Sequence, residues 1–312
     1  AQQQELRTFA QAHDHAFKVK GRRKPSFKSA RKTQPSMGYT KRGFSVREGR
    51  LILPKGVSVP VVWSRDLPSE PTSVRVYRDS LGHWYASFVV RREVESVPEA
   101  TGSIGVDWGV STTATTTDPA YDLPHLGHKK RSAAELAKAQ RKMARRRRPK
   151  GHQQSKGYQR AKLEAAKVAK TAQRRNTHAG RVWARRVVAD HQLIAVEDFK
   201  PKFLAKSTMA RKAADAAVST IKRTLIEYAE RAGRKVVLVQ PAYTTMTCSR
   251  CGTRAKDRIL LDERTFACTA CGLIADRDVN AARVILATAE RGRTSVESVR
   301  HSEPPFEVSG AA

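Results

Sequence analysis

Apolar and polar residues alternate along the first third of the chain in short runs separated by proline and glycine. This alternation is typical of half-buried β-strands. The alternating runs cover residues 51–53, 57–63, 74–78 and 84–90. They predict an antiparallel β unit over residues 27–98, either a small barrel or a curled sheet, preceded in residues 1–26 by a helix and a basic linker.

Longer apolar runs follow and change the predicted fold class. Buried strands are predicted at residues 102–110, 192–199 and 235–241, with a β-branched hairpin partner at 111–117. Helices are predicted over residues 129–190, with breaks at 149–151 and near 175, over 210–232 and over 279–291. Residues 292–312 are expected to be disordered. Strands that alternate with helices predict an α/β domain.

Carboxylates occupy three of these elements at positions where a charge needs an explanation. Asp107 lies within the first buried strand, Glu197 and Asp198 end the second, and Asp276 and Asp278 open the last helix. Alternation places Glu197 and Asp198 on opposite faces of their strand. Taken singly, each acid has an ordinary explanation as a helix cap, a strand-end surface residue or a partner for an arginine.

Taken together, the acids follow the order in which a ribonuclease-H-like fold places three carboxylates around divalent metal. Close carboxylates repel one another, so such a cluster persists only when cations or protons neutralise it. Hard oxygen ligands favour Mg²⁺ or Mn²⁺. Two such ions activate a water molecule and stabilise the leaving oxygen of a phosphodiester.

All four cysteines lie in two Cys-x-x-Cys pairs, Cys248 with Cys251 and Cys268 with Cys271. Sixteen residues separate the pairs and a glycine follows each, a spacing that predicts a zinc ribbon. Two structural disulfides are the alternative, but nothing else indicates an oxidising compartment. No histidine or carboxylate within the motif completes an open coordination site, so the zinc is expected to be structural.

The charge of the chain indicates its partner. Sixty lysines and arginines against 29 acids give a formal net charge of +31, which favours nucleic acid over a membrane surface. The densest basic cluster in the helical region consists of Arg141, Lys142, Arg145, Arg146, Arg147 and Arg148. A phosphate backbone explains this cluster better than helix stability does, because like charges at helical spacing repel. The sequence contains no long apolar run, and a cytoplasmic, nucleoid-associated protein of a prokaryote is expected.

Four stretches resemble the transposon-encoded TnpB (OrfB) nucleases, relatives of the miniature type V CRISPR effectors. They are Gly-Val-Asp-Trp-Gly-Val at 105–110, Val-Glu-Asp at 196–198, Thr-Cys-Ser-Arg-Cys-Gly at 247–252, and the segment 271–282 that ends Asp-Arg-Asp-Val-Asn-Ala-Ala. The resemblance implies a RuvC-type nuclease domain whose catalytic triad is Asp107, Glu197 and Asp278. It also implies a guide RNA from the transposon end, a DNA target read by base pairing, and cleavage of that DNA in the RuvC site.

The resemblance also implies a domain organisation. We expect a wedge-like nucleic-acid-binding unit at 27–98, a basic helical insertion at 129–190 and a zinc ribbon at 246–271. The nuclease domain is expected to comprise 99–128, 191–245 and 272–291. Family members usually begin with a further region, so the chain is expected to be truncated at its N-terminus.

Two other functions remain open at this point. One is a catalytically silent zinc-ribbon protein, a transposase fragment that binds DNA or RNA. The other is a transposase that itself joins strands, which is less favoured because the resembling nucleases accompany a separate transposase.

Overall fold

The structure is a computed structural model that describes residues 2–19, 21–26, 33–94, 98–149, 151–198, 209–257 and 263–292. The predicted tail lies outside these residues, except for its first position. The chain divides into two compact units. One unit comprises residues 1–93 and 138–167, and the other comprises 94–137 and 168–312.

The first unit contains six short strands, of which the last four correspond to the predicted alternating runs. They are β1 (Ser36–Thr40), β2 (Ser45–Arg47), β3 (Arg50–Leu53), β4 (Val57–Pro60), β5 (Ser73–Arg78) and β6 (Trp84–Val89). All neighbouring pairs are antiparallel, but the strands form two sheets, β1-β5-β6 and β2-β3-β4. The expectation of one barrel or one curled sheet is therefore wrong.

Local turns explain why the sheets are separate. Glu48 and Gly49 join β2 to β3 with positive φ angles, and Lys55 and Gly56 do the same between β3 and β4. Such turns bring consecutive strands together at little cost in chain entropy. Residues 45–60 therefore close on themselves, and β1 pairs with the distant β5.

The helices that precede the last third of the chain are α1 (Gln2–Lys18), α2 (His128–Arg131), α3 (Ala133–Arg145) and α4 (Lys156–Asp190). The helix predicted near the start of the chain is present as α1, and the break around Pro149 is present between α3 and α4. The predicted break near residue 175 is wrong, because α4 is one continuous helix of 35 residues that includes this position. No proline or glycine interrupts residues 158–179, and the amide of Asn176 donates to the carbonyl of Asp215 without disturbing the helix.

The second unit is built on a five-stranded sheet of β7 (Gly102–Trp108), β8 (Thr112–Thr116), β9 (Leu123–Pro124), β10 (His191–Glu197) and β11 (Lys235–Val239). The strand order is β11-β10-β7-β8-β9, with β7, β10 and β11 parallel and β8 and β9 antiparallel. This mixed order, with the first strand at the centre, is the ribonuclease-H-like arrangement, and the predicted fold class is confirmed.

The remaining elements are α5 (Ala210–Ala216), α6 (Val218–Arg231), β12 (Thr265–Ala267), β13 (Ile274–Asp276) and α7 (Arg277–Glu290). One helix was expected over 210–232, but the left-handed Ala217 divides it into α5 and α6. β12 and β13 form an antiparallel pair within the cysteine-rich segment.

Helices cover both faces of the five-stranded sheet. Trp183 and Val187 of α4, and Ile221 and Leu225 of α6, share one buried cluster with the sheet. Ile285 of α7 belongs to a second cluster with residues of β10 and β11. The sheet therefore has an α4/α6 face and an α7 face. Within the described residues, no helix has both the length and the apolar character needed to cross a membrane.

Candidate active site and zinc ribbon

The two strand acids lie side by side at the carboxyl ends of β7 and β10. The parallel register pairs Val106 with Val196, so that Asp107 and Glu197 follow at equivalent positions. Both are buried, at 8% and 6% exposure. Ala195 packs in the cluster with α7, and alternation places Glu197 on that same face, as predicted.

Asp107 reaches the α7 face for the corresponding reason. Gly105, two residues earlier, lies against the carbonyl oxygen of Ala282 in α7. Because side chains two residues apart on a strand share a face, Asp107 also points toward the α7 side of the sheet. The strand periodicity thus brings Asp107 and Glu197 to one face and one edge.

The two aspartates at the start of α7 have different surroundings. Asp276 is the N-cap, and its Oδ1 accepts from the backbone amides of Asp278 (2.9 Å) and Val279 (3.0 Å). Asp278 is the second residue of the helix and does not act as the cap. Its Oδ2 pairs with Arg264 at 3.0 Å, and its Oδ1 pairs with Arg277 at 3.3 Å.

The charges of the three acids act on one another. Burial, followed by the charges of Glu197 and Asp278, raises the pKa of Asp107 well above its ordinary value, whereas Arg277 opposes the rise. Burial raises the pKa of Glu197 to about 7, despite the opposing hydrogen bond from Thr244 and the charge of Lys222. The anionic forms of both strand acids are therefore destabilised, which is the condition that a bound cation relieves.

The three carboxylates influence one another electrostatically, but they do not form a tight cluster of ligand atoms. Within the described residues, the only group of three or more ligating side chains whose ligand atoms all lie within 4.8 Å of one another is the four cysteines. Arg264 and Arg277 hold both oxygens of Asp278. A divalent ion would compete with these two guanidinium groups for the same oxygens.

Asp198 is separated from the acids on the α7 face by its own partner. Lys222 of α6 lies 2.7 Å from Asp198 Oδ1, and the amide of Asp198 donates to Val239. Glu197 has a different neighbour, the buried Thr244, whose hydroxyl lies 3.3 Å from Glu197 Oε1. The alternation of the strand therefore gives adjacent acids different environments.

The four cysteines converge as their spacing predicts. Cys248 lies 3.6 Å from Cys271, and Cys251 lies 3.6 Å from Cys268, measured between Sγ atoms. All four are free thiols, and these separations exceed the S–S bond length of about 2.05 Å. The four sulfurs therefore lie together, as the spacing predicts, and the disulfide alternative does not fit.

Both halves of the ribbon have the same backbone turn. In each, a glycine amide donates to the carbonyl of the first cysteine, from Gly252 to Cys248 and from Gly272 to Cys268. Both glycines have positive φ, which residues with a Cβ rarely adopt. Hydroxyl and amide groups of Thr253 lower the pKa of the Cys251 thiol to about 6, so this sulfur is readily available as a thiolate ligand.

Asn280 joins the ribbon to α7. Its side chain is fully buried, accepts from the amide of Ser249 at 3.0 Å and donates to the carbonyl of Thr247 at 2.8 Å. These contacts flank Cys248, so the first cysteine turn is held against the helix that carries Asp278. The Asn-Ala-Ala part of the motif therefore has a physical explanation in packing and hydrogen bonding.

Sequence reasoning did not identify four residues of the site, Thr244, Lys222, Arg264 and Arg277. Arg277 lies inside the Asp-Arg-Asp motif, and its position was therefore visible in the sequence. Arg264 comes from the segment between the cysteine pairs, 14 residues before Asp278, and only the fold brings it to the acids. The same is true of Thr244 and Lys222.

The predicted nucleic-acid-binding cluster lies on α3 and the segment that follows it. All six members are exposed, namely Arg141, Lys142, Arg145, Arg146, Arg147 and Arg148. Glu135 was the only local counter-charge expected, but Lys142 pairs with Glu164 of α4 at 3.0 Å. Arg146 and Arg148 donate to backbone carbonyls of Gly157 and Gln153. The cluster is therefore partly ordered by neighbouring residues.

The fold and the site define a ribonuclease-H-like protein with an acidic centre and a cluster of four cysteines that could hold a metal ion. Two family models match the chain. The one described as "Probable transposase" (OrfB of IS605) matches residues 87–208, and the one described as "Cas12f1-like, TNB domain" matches residues 219–285.

Relatives cover most of the chain. A protein of Streptomyces pristinaespiralis named as an RNA-guided DNA endonuclease is 33% identical over 305 residues, which are 96% of this chain and 73% of that protein. InsQ of Escherichia coli (strain K12), named likewise, is 28% identical over 273 residues, 82% of this chain and 66% of InsQ. The chain belongs to the TnpB (OrfB) family of RNA-guided DNA endonucleases.

A solved structure shares the fold. The protein in the cryo-EM structure of a Cas12f1–sgRNA–target DNA complex superimposes with a TM-score of 0.52 at 14% identity, over 90% of this chain and 69% of that one.

Proposed function

We propose that this chain is a transposon-encoded, metal-dependent, RNA-guided DNA endonuclease that cuts phosphodiester bonds with Asp107, Glu197 and Asp278. The observation that carries the proposal is the placement of two buried acids on neighbouring strand ends, with a third at the start of the helix that packs on the same face. The proposed partners are a guide RNA and a DNA target, because the relatives are named as RNA-guided DNA endonucleases.

The three carboxylates would hold Mg²⁺ or Mn²⁺, which when bound activates water and stabilises the leaving oxygen. The chain's own residues prepare this site. Thr244 donates to Glu197 and orients one carboxylate, while Asp276 caps α7, so that Asp278 is not used as the cap. Arg277, itself buried, provides a fixed positive charge beside Asp107 and Asp278.

The four cysteines would hold a structural Zn²⁺. Their convergence and free thiols fit the tetrahedral sulfur coordination that zinc prefers. Binding of the metal would order a segment too short to bury a core of its own. Through Asn280 the ordered ribbon would support the start of α7, and through Arg264 it would contribute to the surroundings of the acids.

The remaining segments would grip nucleic acid. In this proposal residues 27–98 form a wedge-like binding unit, and the exposed arginines of the insertion at 129–190 contact phosphates. The net charge of +31 supports a polyanionic partner. A cytoplasmic protein acting at the nucleoid follows from this function.

Asp107→Ala tests the proposal most directly. The full chain, co-expressed with the DNA that flanks its gene, is purified with the RNA it retains, and strand breaks are measured on DNA complementary to that RNA with Mg²⁺. We expect the variant to abolish cleavage while zinc content and RNA content stay unchanged. Asp190→Asn, which alters an acid just before β10 at the opposite end of that strand, is the matched control and should cleave normally. Undiminished cutting by Asp107→Ala would rule out the proposed site.

One observation favours the second candidate, a silent zinc-ribbon protein that binds nucleic acid. Both oxygens of Asp278 are engaged by arginines, so cations of the chain already neutralise part of the site. This candidate predicts steeply salt-dependent binding and no metal-dependent nicking with any retained RNA. Strand breaks that require both the RNA and Mg²⁺ would eliminate it.

A further inference from the structure

Two cations from separate elements meet at one neutral hydroxyl beside the acidic centre. Ser111 lies between β7 and β8, four residues after Asp107. Its Oγ accepts from Lys212 Nζ at 3.1 Å and from Arg264 Nη2 at 3.4 Å. Lys212 belongs to α5, which follows the strand of Glu197, and Arg264 immediately precedes β12 of the ribbon.

A serine hydroxyl is a weak partner for two positive charges. It carries no charge to offset their mutual repulsion, which remains even at a solvent-exposed site. Lys212 is exposed, and the side chain of Arg264 is half exposed. Within the described part of the chain, Lys212 has no carboxylate partner. The two cations therefore converge on a position that a negatively charged group would occupy more favourably.

The second contact of Arg264 shows where that anion would lie. Arg264 Nη1 pairs with Asp278 Oδ2 at 3.0 Å, while Nη2 contacts Ser111. One planar guanidinium group thus joins a proposed metal ligand to the hydroxyl shared with Lys212. A guanidinium group presents several donors in a fixed plane and suits the oxygens of a phosphate.

We propose that Lys212 and Arg264 form one phosphate subsite that holds a DNA backbone phosphate beside Asp278. This subsite rests on the proposed function, because it places the nucleic-acid strand against the cleavage centre. Arg264 and Lys212 act as positioning residues: each donates to non-bridging oxygens of the same phosphate. When the phosphate arrives, it replaces Ser111 as their shared acceptor, while the other nitrogen of the Arg264 guanidinium group stays beside Asp278.

The first test measures binding and does not depend on cleavage. The full chain carrying Asp107→Ala is titrated with a fluorescent single-stranded DNA oligonucleotide over a range of salt concentrations. Each phosphate contact on single-stranded DNA contributes about 0.7 to the slope of log K against log salt. The proposed contact to this one phosphate needs both side chains, so Lys212→Ala, Arg264→Ala and the double variant should each lower the slope by the same amount, about 0.7.

Matched variants separate this subsite from general charge effects. Lys235→Ala removes an exposed lysine at the beginning of β11, the opposite end of the sheet from the acids, and should leave the slope unchanged. Arg264→Lys retains the charge and should keep the slope. If Arg264→Ala lowers thermal stability or zinc content, Lys212→Ala still tests the subsite, because Lys212 is exposed and its side chain donates to Ser111.

The second test uses cleavage of target DNA with a single neutral methylphosphonate placed at each linkage around the mapped cut. The protein without substitutions should cleave more slowly when the methylphosphonate occupies one particular linkage. On native DNA, Lys212→Ala should cleave about tenfold more slowly, which corresponds to the loss of one charged hydrogen bond. A methylphosphonate at the sensitive linkage should not reduce the cleavage rate of this variant any further. Two results would overturn the shared subsite. One is a salt slope that none of the variants changes, and the other is a double variant whose slope falls by the sum of the two single-variant changes. An unmodified protein that never cleaves would instead refute the proposed function while leaving the binding result standing.

Discussion

Gly105 of β7 lies so close to Ala282 of α7 that a Cβ on Gly105 would come within 2.1 Å of the Ala282 carbonyl oxygen and 2.9 Å of Leu286 Cβ. No side chain fits that space. Gly105 precedes Asp107 by two residues, and Ala282 follows Asp278 by four. The close approach of backbone to backbone therefore fixes how near the helix acid comes to the strand acid.

Gly105→Ala is expected to destabilise the protein by about 1–3 kcal/mol or more, since overpacking at a helix–strand contact forces the backbone apart. Thermal denaturation measures the loss. Gly38→Ala is the matched control, because a Cβ there would meet Gln4 Cγ at an ordinary 3.7 Å. Equal stabilities for the two variants would contradict the role given to the contact.

Substitutions of Asp276 should mainly affect stability, whereas substitutions of Asp278 should mainly affect cleavage. Asp276→Ala removes the N-cap of α7 and should cost about 1 kcal/mol in the free energy of unfolding, whereas Asp276→Asn keeps an acceptor and should cost little. Asp278→Asn should change stability less than Asp276→Ala and abolish metal-dependent cleavage. Urea denaturation and the cleavage assay together distinguish the two. If Asp276→Asn abolished cleavage and Asp278→Asn did not, the assignment of the third ligand would be reversed.

Asn280→Ala should loosen the ribbon without removing its metal. Loss of the side chain leaves the amide of Ser249 and the carbonyl of Thr247 without their present partner, at a cost of about 1–3 kcal/mol per buried group left unsatisfied. Hydrogen exchange should therefore quicken at residues 247–253, while zinc content remains that of the unaltered chain. Cys251→Ser provides the contrast, since it should lower zinc content directly. Unchanged exchange in Asn280→Ala would show that the ribbon is held elsewhere.

The stability of the metal-free protein should fall as pH rises through the range set by Glu197. The pKa of this residue is about 7 in the folded chain against 4.5 ordinarily. The folded state therefore binds more protons between these values, and the free energy of unfolding decreases as pH rises. Because one pKa unit corresponds to about 1.4 kcal/mol, the effect is on the order of 1–3 kcal/mol.

Comparison with Glu197→Gln isolates this contribution from the other titrating groups. The variant should lack the Glu197 part of the decline between about pH 5 and pH 8, as measured by urea denaturation at each pH. Adding Mg²⁺ should stabilise the unaltered chain more at pH 8 than at pH 5.5, because the carboxylates must lose their protons to bind it. Parallel pH profiles for the two proteins would contradict a raised pKa at Glu197.

The most predictable parts of the protein were those governed by local pattern. The strands of Asp107 and Glu197 could be read from apolar runs, and the cysteine site from its spacing. The predictions failed where the outcome depended on competing partners. The strands of residues 36–89 form two sheets because local turns close one of them, and α4 continues past residue 175 because nothing in its backbone interrupts it.

The sequence alone indicated the residues that we propose to bear the chemistry, the acids at 107, 197 and 278 and the four cysteines. Periodicity and spacing are local properties, and they can be read along the chain. Tertiary packing sets Asp276 as the helix cap and places Asp278 beside two arginines. It also brings Arg264 and Lys212 together at Ser111. Such contacts join residues up to 153 positions apart, and no local pattern encodes a distance that is set by how the sheet, α7 and the ribbon pack together.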